Sequence, residues 1–167
     1  MDRAIAPHRP VAVAIGSNLG DRRQAIDFAL RRLSAILTDL TFSDIVETDP
    51  EGPGGEVLPD DPLFFNAVAV GTSALDARAL LESLLAIEAD FGRERPYPGA
   101  PRTLDLDLVL VGDEVIDEPG LQVPHPRFRD RFFVLGPLTE IAPDFRDPVS
   151  GMKAGELLVK LLRDEER

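Results

Sequence analysis

The sequence contains no cysteine among its 167 residues. Disulfide bonds, thiolate metal sites and a cysteine nucleophile are therefore excluded. Long apolar runs are also missing, since the longest (11–15 and 132–138) are far shorter than the roughly 20 residues of a membrane-spanning helix. The first ten residues carry charge and proline but no apolar signal core, which predicts that there is no secretion signal. These absences favour a cytoplasmic protein without a membrane partner.

Basic residues are scarce and unevenly distributed. The 18 basic and 30 acidic residues give a net charge of −12, which argues against nucleic acid as the main partner. Six arginines and only two acidic residues nevertheless fall in two short windows, 93–102 and 125–131: Arg93, Arg95, Arg102, Arg127, Arg129 and Arg131, with Glu94 and Asp130. Such windows indicate either a site for a small polyanion or two solvated surface loops, and charge alone does not separate these readings.

Hydrophobic periodicity predicts six main elements in the order β-α-β-β-α-β. They are strands at 11–15, 41–48, 64–72 and 103–111 and helices at 21–37 and 76–91. This order is typical of the ferredoxin-like α+β fold, an antiparallel sheet with both helices on one face. Extra C-terminal elements are also predicted: a hairpin in which a turn at Gly112 folds residues 114–116 back on the fourth strand, helical pieces within 127–141, and a helix at 154–163. The chain is thus predicted to be a single domain, 1–167, with residues 1–10 as an N-terminal tail.

The fourth predicted strand carries two acidic residues, Asp105 and Asp107. Side chains alternate along a strand, so both carboxylates point to one side, with Cα atoms about 6.5–7 Å apart. Leu104, Leu106, Leu108 and Leu110 are then predicted to point together into the core. Paired carboxylates are typical Mg²⁺ ligands, although the exposed face of an amphipathic strand gives the same pattern. Aspartate is a poor strand former, which favours the metal site.

Other residues near these carboxylates are suited to a charged, flat ligand. Arg93, Arg95 and Arg102 precede the strand, and guanidinium groups bind phosphate in a fixed bidentate geometry. His125 lies between two prolines and is either structural or a donor to a phosphate or base. Four phenylalanines are candidates for stacking on a ring or for core packing: Phe64, Phe65, Phe132 and Phe133.

Several segments together resemble the 6-hydroxymethyl-7,8-dihydropterin pyrophosphokinases of folate synthesis. The resemblance runs in order from about residue 11 to 145 and is carried by residues 13–20, 65–68, 101–107, 123–125 and 131–137. The segment Pro101-Arg102-Thr103-Leu104-Asp105-Leu106-Asp107 is its most specific part.

The resemblance implies a reaction and a set of site residues. A diphosphate passes from ATP to the pterin hydroxymethyl group, AMP is released, and two Mg²⁺ ions contact Asp105 and Asp107. Arg93 and Arg102 are implied to be catalytic with these aspartates. The implied ATP-binding residues are Glu88, Arg93, Arg95, Arg102, Leu108 beside the adenine, His125 and Arg131. The implied pterin-binding residues are Thr48, Phe64, Asn66, Asp105 and Phe133. The loops 49–62 and 93–101 are expected to be mobile and to close over the substrates, and the enzyme is expected to be a monomer.

Two other functions remain open on the residues alone. Another phosphotransferase or nucleotidyltransferase on this fold also uses two aspartates and Mg²⁺, but it does not release AMP as its product. A small-molecule sensor or scaffold domain tolerates the loss of either aspartate and does not need clustered arginines. The presence of acids, arginines and ring-contacting positions together disfavours this second alternative.

Overall fold

The structure is a computed structural model that describes residues 7–18, 20–48, 63–93 and 104–166. The elements follow one another along the chain as β1 Arg9–Ser17, α1 Arg22–Leu33, β2 Thr38–Phe42, β3 Val46–Thr48, β4 Phe64–Ser73, α2 Ala77–Arg93, β5 Asp105–Val111, β6 Ile116–Glu118, β7 Leu121–Val123, a 3₁₀ turn Phe128–Asp130, α3 Phe132–Ile141 and α4 Ala154–Glu165. The two loops predicted to be mobile, 49–62 and 93–101, lie outside the described residues except for Arg93 at the end of α2.

The main sheet is antiparallel and has the strand order β2-β4-β1-β5, with β3 also paired to β4. The ferredoxin-like fold predicted from the sequence is therefore confirmed. The predicted strand 41–48 is divided into β2 and β3, and both pair with β4. The division falls at residues 43–45, where the Ser43 side chain rather than a backbone carbonyl accepts the hydrogen bond from Val68 N at 2.9 Å.

Each face of the sheet is covered by its own hydrophobic core. Val11, Val13 and Ile15 of β1 point to the first core, which is closed by α1 and α2. The alternate residue Ala12 points to the second core, which is closed by α3, α4 and the 3₁₀ turn. Strand alternation explains why both faces are apolar, because a sheet covered on both sides needs apolar residues at successive positions.

A β-bulge changes the direction of the side chains along β5. Val13 pairs with Leu108 but Ala12 pairs with Leu110, so Val109 is an extra residue in the strand. As a result Leu110 packs in the second core, whereas Leu104, Leu106 and Leu108 pack in the first. The prediction that Leu110 points the same way as those three leucines is wrong, because it assumed unbroken alternation.

Three other boundaries differ from the predictions. The hairpin predicted between β5 and residues 114–116 is wrong: Ile116–Glu118 pairs instead with Leu121–Val123 as a separate two-stranded ribbon. Helix α1 ends at Leu33 rather than at residue 37, although Leu37 is still buried in the first core. Strand β1 begins at Arg9, inside the segment predicted to be a tail, because Arg9 pairs with Ser73 of β4. Among the described residues, no helix combines the length and the apolar character needed to cross a bilayer.

Candidate active site

Asp105 and Asp107 lie on the same side of the first half of β5. Asp105 pairs with Gly16 and Asp107 with Ala14 of the neighbouring strand β1. Alternation places both carboxylates on the face of the sheet opposite the first core, as the sequence predicts. Since positions 14 and 16 of β1 carry only Ala and Gly, the space beside the carboxylates is open.

A first cleft of about 430 Å³ occupies this space. It contains eight of the residues assigned to the site from the sequence: Thr48, Phe64, Asn66, Glu88, Asp105, Asp107, Arg131 and Phe133. The other residues that line it are Ala14, Ile15, Gly16, Ala67, Arg127 and Val134. These residues come from β1, β3, β4, α2, β5 and the start of α3, so the fold brings distant parts of the sequence together.

A buried amide forms one wall of the first cleft. The side chain of Asn66 is only 6% exposed, and its Nδ2 donates a hydrogen bond to Thr48 Oγ1 at 2.7 Å. The pairing of β3 with β4 brings these residues together, since Val46 lies opposite Asn66 and Thr48 lies opposite Phe64. A fixed amide in a cleft recognises hydrogen-bonding groups at the edge of a ligand.

Two of the four candidate phenylalanines line the first cleft and two do not. Phe64 and Phe133 line the first cleft. Phe65 packs against the first core, with the guanidinium carbon of Arg22 4.0 Å from its ring centroid. Phe132 is 44% exposed. The two phenylalanines that line the cleft are therefore the two that the resemblance assigned to the pterin, and their contact with its ring remains a prediction.

Arg131 brings positive charge to the carboxylates. Its Nη1 lies 4.0 Å from Asp107 Oδ2, and its guanidinium carbon lies 5.6 Å from the centroid of Phe133. Arg131 Nε is buried and has no hydrogen-bond partner among the described residues. A buried donor without a partner is costly, so an anionic ligand at this position would stabilise it.

A second cleft of about 410 Å³ adjoins the first. It is lined by residues of α2, β5, β7 and the turn that follows: Leu81, Leu106, Asp107, Leu108, Gly120, Leu121, Gln122, His125 and Pro126. Leu108 and His125, both assigned to ATP from the sequence, lie here. Asp107 lines both clefts, which makes it their meeting point.

The ring of His125 is held in one tautomer. Arg127 N donates to His125 Nδ1 at 3.1 Å, so the neutral ring carries its hydrogen on Nε2. Burial lowers the pKa of His125 below its ordinary value, while Asp107 opposes this shift and Arg131 and Arg127 add to it. The neutral ring in this cleft is therefore a hydrogen-bond donor through Nε2. His125 N also donates to the carbonyl of Val109, the bulged residue, at 2.9 Å.

The side chain of Glu88 contacts the backbone of β5. Its Oε2 accepts a hydrogen bond from Leu106 N at 2.7 Å, which ties α2 to the start of β5. This bond fixes the backbone between Asp105 and Asp107. The structure thus gives Glu88 a positioning contact, and its assignment to ATP remains a prediction.

Three of the predicted arginines fall outside this description. Arg95 and Arg102 lie outside the described residues, and only the backbone of Arg93 is described. Among the described residues, the first cleft also contains Arg127, for which the sequence predicted no role. The signal was its position in the second basic window, although the sequence does not show which of the three arginines there faces the cleft.

The site fits a metal ion whose ligands come partly from the protein and partly from a substrate. Within the described ranges, no three histidine or carboxylate side chains come together as a ligand set. Two carboxylates on one strand face remain, and the Asp107 side chain is 48% exposed. Mg²⁺ is commonly held by one or two carboxylates, water and substrate phosphates, and this donor set matches that pattern.

Comparison with known proteins identifies a family and several relatives of this chain. Residues 12–143 match the family model described as 7,8-dihydro-6-hydroxymethylpterin-pyrophosphokinase (HPPK). A 2-amino-4-hydroxy-6-hydroxymethyldihydropteridine pyrophosphokinase of Pseudomonas aeruginosa is 41% identical over 150 residues, which cover 89% of each chain. The protein of the same name from Bacillus subtilis is 42% identical over 133 residues, covering 77% of this chain and 75% of that protein.

The fold is also found in a larger protein. The crystal structure of wild-type HPPK-DHPS from Plasmodium falciparum aligns with a TM-score of 0.73 at 15% identity, covering 98% of this chain. The chain spans 46% of that protein, so the likeness concerns the fold of this part alone. The family match extends over most of the sequence, and the chain belongs to the 7,8-dihydro-6-hydroxymethylpterin-pyrophosphokinase family.

Proposed function

We propose that this chain transfers a diphosphate group from ATP to 6-hydroxymethyl-7,8-dihydropterin, with Mg²⁺ held by Asp105 and Asp107, and releases AMP. The observation that carries the proposal is the position of Asp107 where the two clefts meet. One cleft has an amide and two aromatic rings, and the other has apolar side chains and a histidine. Two substrates bound in adjoining clefts react at their junction, where the charged residues lie.

The first cleft is assigned to the pterin. Asn66 and Thr48 offer polar groups to the edge of a flat heterocycle, and Phe64 and Phe133 offer aromatic surface to its faces. The hydroxymethyl group then points toward Asp105 and Asp107. This arrangement follows the usual design of a ligand site, in which apolar surface supplies contact area and a few polar groups fix the orientation.

The second cleft is assigned to the nucleotide. Leu108 supplies an apolar surface for the adenine, and the Nε2–H of His125 is a donor for a phosphate oxygen. Arg131 and Arg127 approach the phosphates from the first cleft. We assign Arg93, Arg95 and Arg102 to the same phosphates, and Glu88 to the ATP side.

The reaction is an in-line displacement at the β-phosphorus of ATP. The hydroxymethyl oxygen forms a bond to the β-phosphorus, the bond from that phosphorus to the bridging α–β oxygen breaks, and the hydroxyl proton is released. AMP leaves with the bridging oxygen. Mg²⁺ supplies charge neutralisation at the phosphate oxygens when bound. The protein orients the two substrates, and the guanidinium groups stabilise the charge on the transferred group.

Replacement of either aspartate should abolish turnover. In Asp105→Ala and Asp107→Ala we expect AMP formation from ATP, Mg²⁺ and the pterin to fall at least about a hundredfold, because the cation loses a ligand. The free energy of unfolding should change by no more than about 1 kcal/mol, since both side chains lie on an accessible strand face. The measurement is AMP release by chromatography together with thermal unfolding.

Asp113→Ala is the matched control, because it removes an exposed carboxylate from the turn that follows β5. This variant should retain wild-type turnover. A wild-type protein that releases ADP or pyrophosphate instead of AMP would identify the rival phosphotransferase or nucleotidyltransferase. Full activity in both aspartate variants would refute the metal assignment.

We also propose that residues 1–167 act as one domain, as a monomer and in the cytoplasm. The basis is the sequence composition and the absence of cysteine, together with the match to relatives of similar length. Size-exclusion chromatography with light scattering tests the monomer.

A further inference from the structure

A largely buried ion pair joins Arg129, in the second arginine window, to Asp147. Arg129 Nε donates to Asp147 Oδ2 at 2.6 Å, and Arg129 Nη2 donates to Asp147 Oδ1 at 2.9 Å. The Asp147 side chain is 0% exposed and that of Arg129 is 27% exposed. The pair is therefore bidentate and largely removed from water, which gives it a defined direction.

The carboxylate of Asp147 is held by its own turn as well. It accepts hydrogen bonds from Val149 N at 3.0 Å, from Ser150 N at 3.4 Å and from Ser150 Oγ at 2.7 Å. Asp147 N donates to Met152 O at 2.8 Å. Asp147 is thus a rigid anchor that belongs to the turn before α4.

The residues around Arg129 have different surroundings. Arg127 and Arg131 line the first cleft, while Phe128 is buried in the second core. The guanidinium carbon of Arg129 lies 4.7 Å from the ring centroid of Phe128. The short segment 127–131 is consequently held at two adjacent residues, Phe128 and Arg129. Its two outer arginines line the first cleft, where Arg131 Nη1 lies 4.0 Å from Asp107 Oδ2.

A stable fold does not by itself require an ion pair at this position. Removing a carboxylate from water is costly, and apolar residues of similar volume often stabilise a buried position as well as an ion pair does. What an ion pair adds is orientation, because its two parallel hydrogen bonds fix the guanidinium plane. Here the oriented residue lies between two arginines of the candidate active site.

We propose that Asp147 is a positioning residue for the reaction: through Arg129 it fixes the segment 127–131 so that Arg127 and Arg131 face the diphosphate of the nucleotide. Asp147 does not line either cleft, so its effect passes through Arg129. The inference rests on the proposed function for the identity of the anion.

The test measures binding of Mg²⁺ and α,β-methylene-ATP, an analogue that does not react, by isothermal titration calorimetry. Asp147→Asn and Arg129→Gln should each weaken this affinity about tenfold, the cost of misplacing a charge-assisted phosphate contact. The double variant should bind no more weakly than either single variant, because both substitutions break the same link. The affinity for the pterin should fall less than the affinity for the nucleotide, because Asn66 and Thr48 are held by a different contact.

A second comparison tests whether the substitution Asp147→Asn displaces Arg127. Arg127→Gln should weaken nucleotide binding about fivefold in the wild-type background and less than about twofold in Asp147→Asn. A residue that only stabilises the fold would leave the effect of Arg127→Gln the same in both backgrounds. Equal losses in the two backgrounds would therefore overturn the proposal.

Arg9→Gln is the control for a general loss of stability. It breaks the ion pair of Arg9 with Glu114, whose atoms lie 3.0 Å apart at the opposite end of β1 from the clefts. Its unfolding temperature should fall while its nucleotide affinity stays at the wild-type value. A loss of affinity in this control equal to that in Asp147→Asn would contradict a specific role.

If Asp147→Asn does not fold, Ser150→Ala and Arg129→Lys replace it. Ser150→Ala removes one hydrogen bond to the carboxylate, and Arg129→Lys keeps the charge but not the bidentate geometry. Each should lower nucleotide affinity about two- to fourfold, and unchanged affinity in both would refute the proposal.

The two proposals fail in different ways. AMP formation by the wild type with unchanged nucleotide affinity in Asp147→Asn would overturn the positioning role alone. A wild type that binds the nucleotide but forms no AMP from the pterin would overturn the proposed function alone. A wild type that does not bind the nucleotide would overturn both.

Discussion

At the scale of single residues, the pair formed by Asn66 and Thr48 shows how the first cleft is prepared for a ligand. Their hydrogen bond joins two neighbouring strands and uses one amide hydrogen of a nearly buried side chain. The amide therefore has a fixed orientation before any ligand arrives. A ligand that bonds to a fixed group loses less entropy on binding than one that must order it.

Asn66→Ala should therefore affect the pterin and spare the nucleotide. We expect the KM for the pterin to rise about 10- to 100-fold, because removing a hydrogen-bonding group costs about 1.5–3 kcal/mol of binding energy at a site built for such bonds. The KM for ATP should change less than about twofold, since Asn66 does not line the second cleft. Steady-state kinetics with each substrate varied in turn provides the measurement.

Thr48→Val is the matched control for this substitution. It keeps the shape of the side chain but leaves the Asn66 amide without its protein partner, so the rise in the pterin KM should be smaller than in Asn66→Ala. An equal rise in the KM for ATP in Asn66→Ala would show that the two clefts had been assigned wrongly.

At the scale of elements, β5 shows what alternation can and cannot predict. The rule placed Asp105 and Asp107 together on one side, and the structure confirms that placement. It failed at Leu110 because Val109 is an extra residue in the strand. Nothing in a run of leucine and valine marks such a bulge, since these residues fit a regular strand equally well.

The segment 127–131 shows a similar limit. Its concentration of arginine was visible in the sequence and indicated an anion site. The direction of each arginine was not visible: Arg129, for example, is held by Asp147, a partner 18 positions away in the sequence. The family resemblance implied a role for Arg131, but the cleft position of Arg127 and the anchoring of Arg129 required the structure.

Strand β1 keeps the first cleft open because it carries small residues beneath it. A Cβ added at Gly16 would lie 3.4 Å from Asn66 Oδ1 and 3.8 Å from Phe64, which is ordinary contact distance. Gly16→Leu should therefore fold but fill the cleft, lowering AMP formation at least about tenfold through loss of pterin binding. The unfolding temperature should equal or exceed that of the wild type, because glycine weakens a strand.

Gly71→Ala on the neighbouring strand β4 is the contrasting control. Its added Cβ would lie 2.8 Å from Leu37 Cβ and 2.9 Å from the Thr38 carbonyl, so the backbone must shift. The unfolding temperature should fall, while the turnover of the folded fraction should stay near that of the wild type. Full activity in Gly16→Leu would show that the pterin does not occupy this part of the cleft.

At the scale of the whole molecule, one sheet supports two cores, and the candidate active site borders both: Val134 of the second core lines the first cleft, and Leu106 and Leu121 of the first core line the second cleft. The position of α1 and α2 on one face follows from the predicted element order, and the structure confirms it. The element order did not predict that α3 and α4 cover the other face. Their apolar residues indicate that these helices are buried, but not which surface buries them. Long-range packing of this kind depends on the shape of the surface already formed.

The free energy of unfolding should depend on pH through the carboxylate of Asp147. Burial alone would raise the pKa of its carboxyl, but the hydrogen bonds from Arg129, Ser150 and Val149 outweigh that effect and lower the pKa to about 2. Since the ordinary value is about 3.9, the carboxylate contributes roughly 2–3 kcal/mol to the free energy of unfolding above pH 4. That contribution should be lost as the pH falls from about 4 to 2.

Denaturant unfolding at a series of pH values provides the measurement. The free energy of unfolding of the wild type should fall more steeply between pH 4 and 2 than that of Asp147→Asn, which has no carboxyl group to protonate at this position. Parallel curves for the two proteins would contradict the lowered pKa. Asp144→Asn, which removes an exposed carboxylate nearby, should follow the wild-type curve.

The extra residue in β5, Val109, determines which sequence changes the fold tolerates at this position. The carbonyl of Val109 receives the amide of His125, so the bulge sets both the direction of the strand beyond it and the position of a histidine in the second cleft. Exchanging one apolar side chain for another at this position disturbs neither relation. Losing or gaining a single residue there would reverse the inward and outward sides of one half of the strand relative to the other, so chain length at this point is under tighter constraint than residue identity.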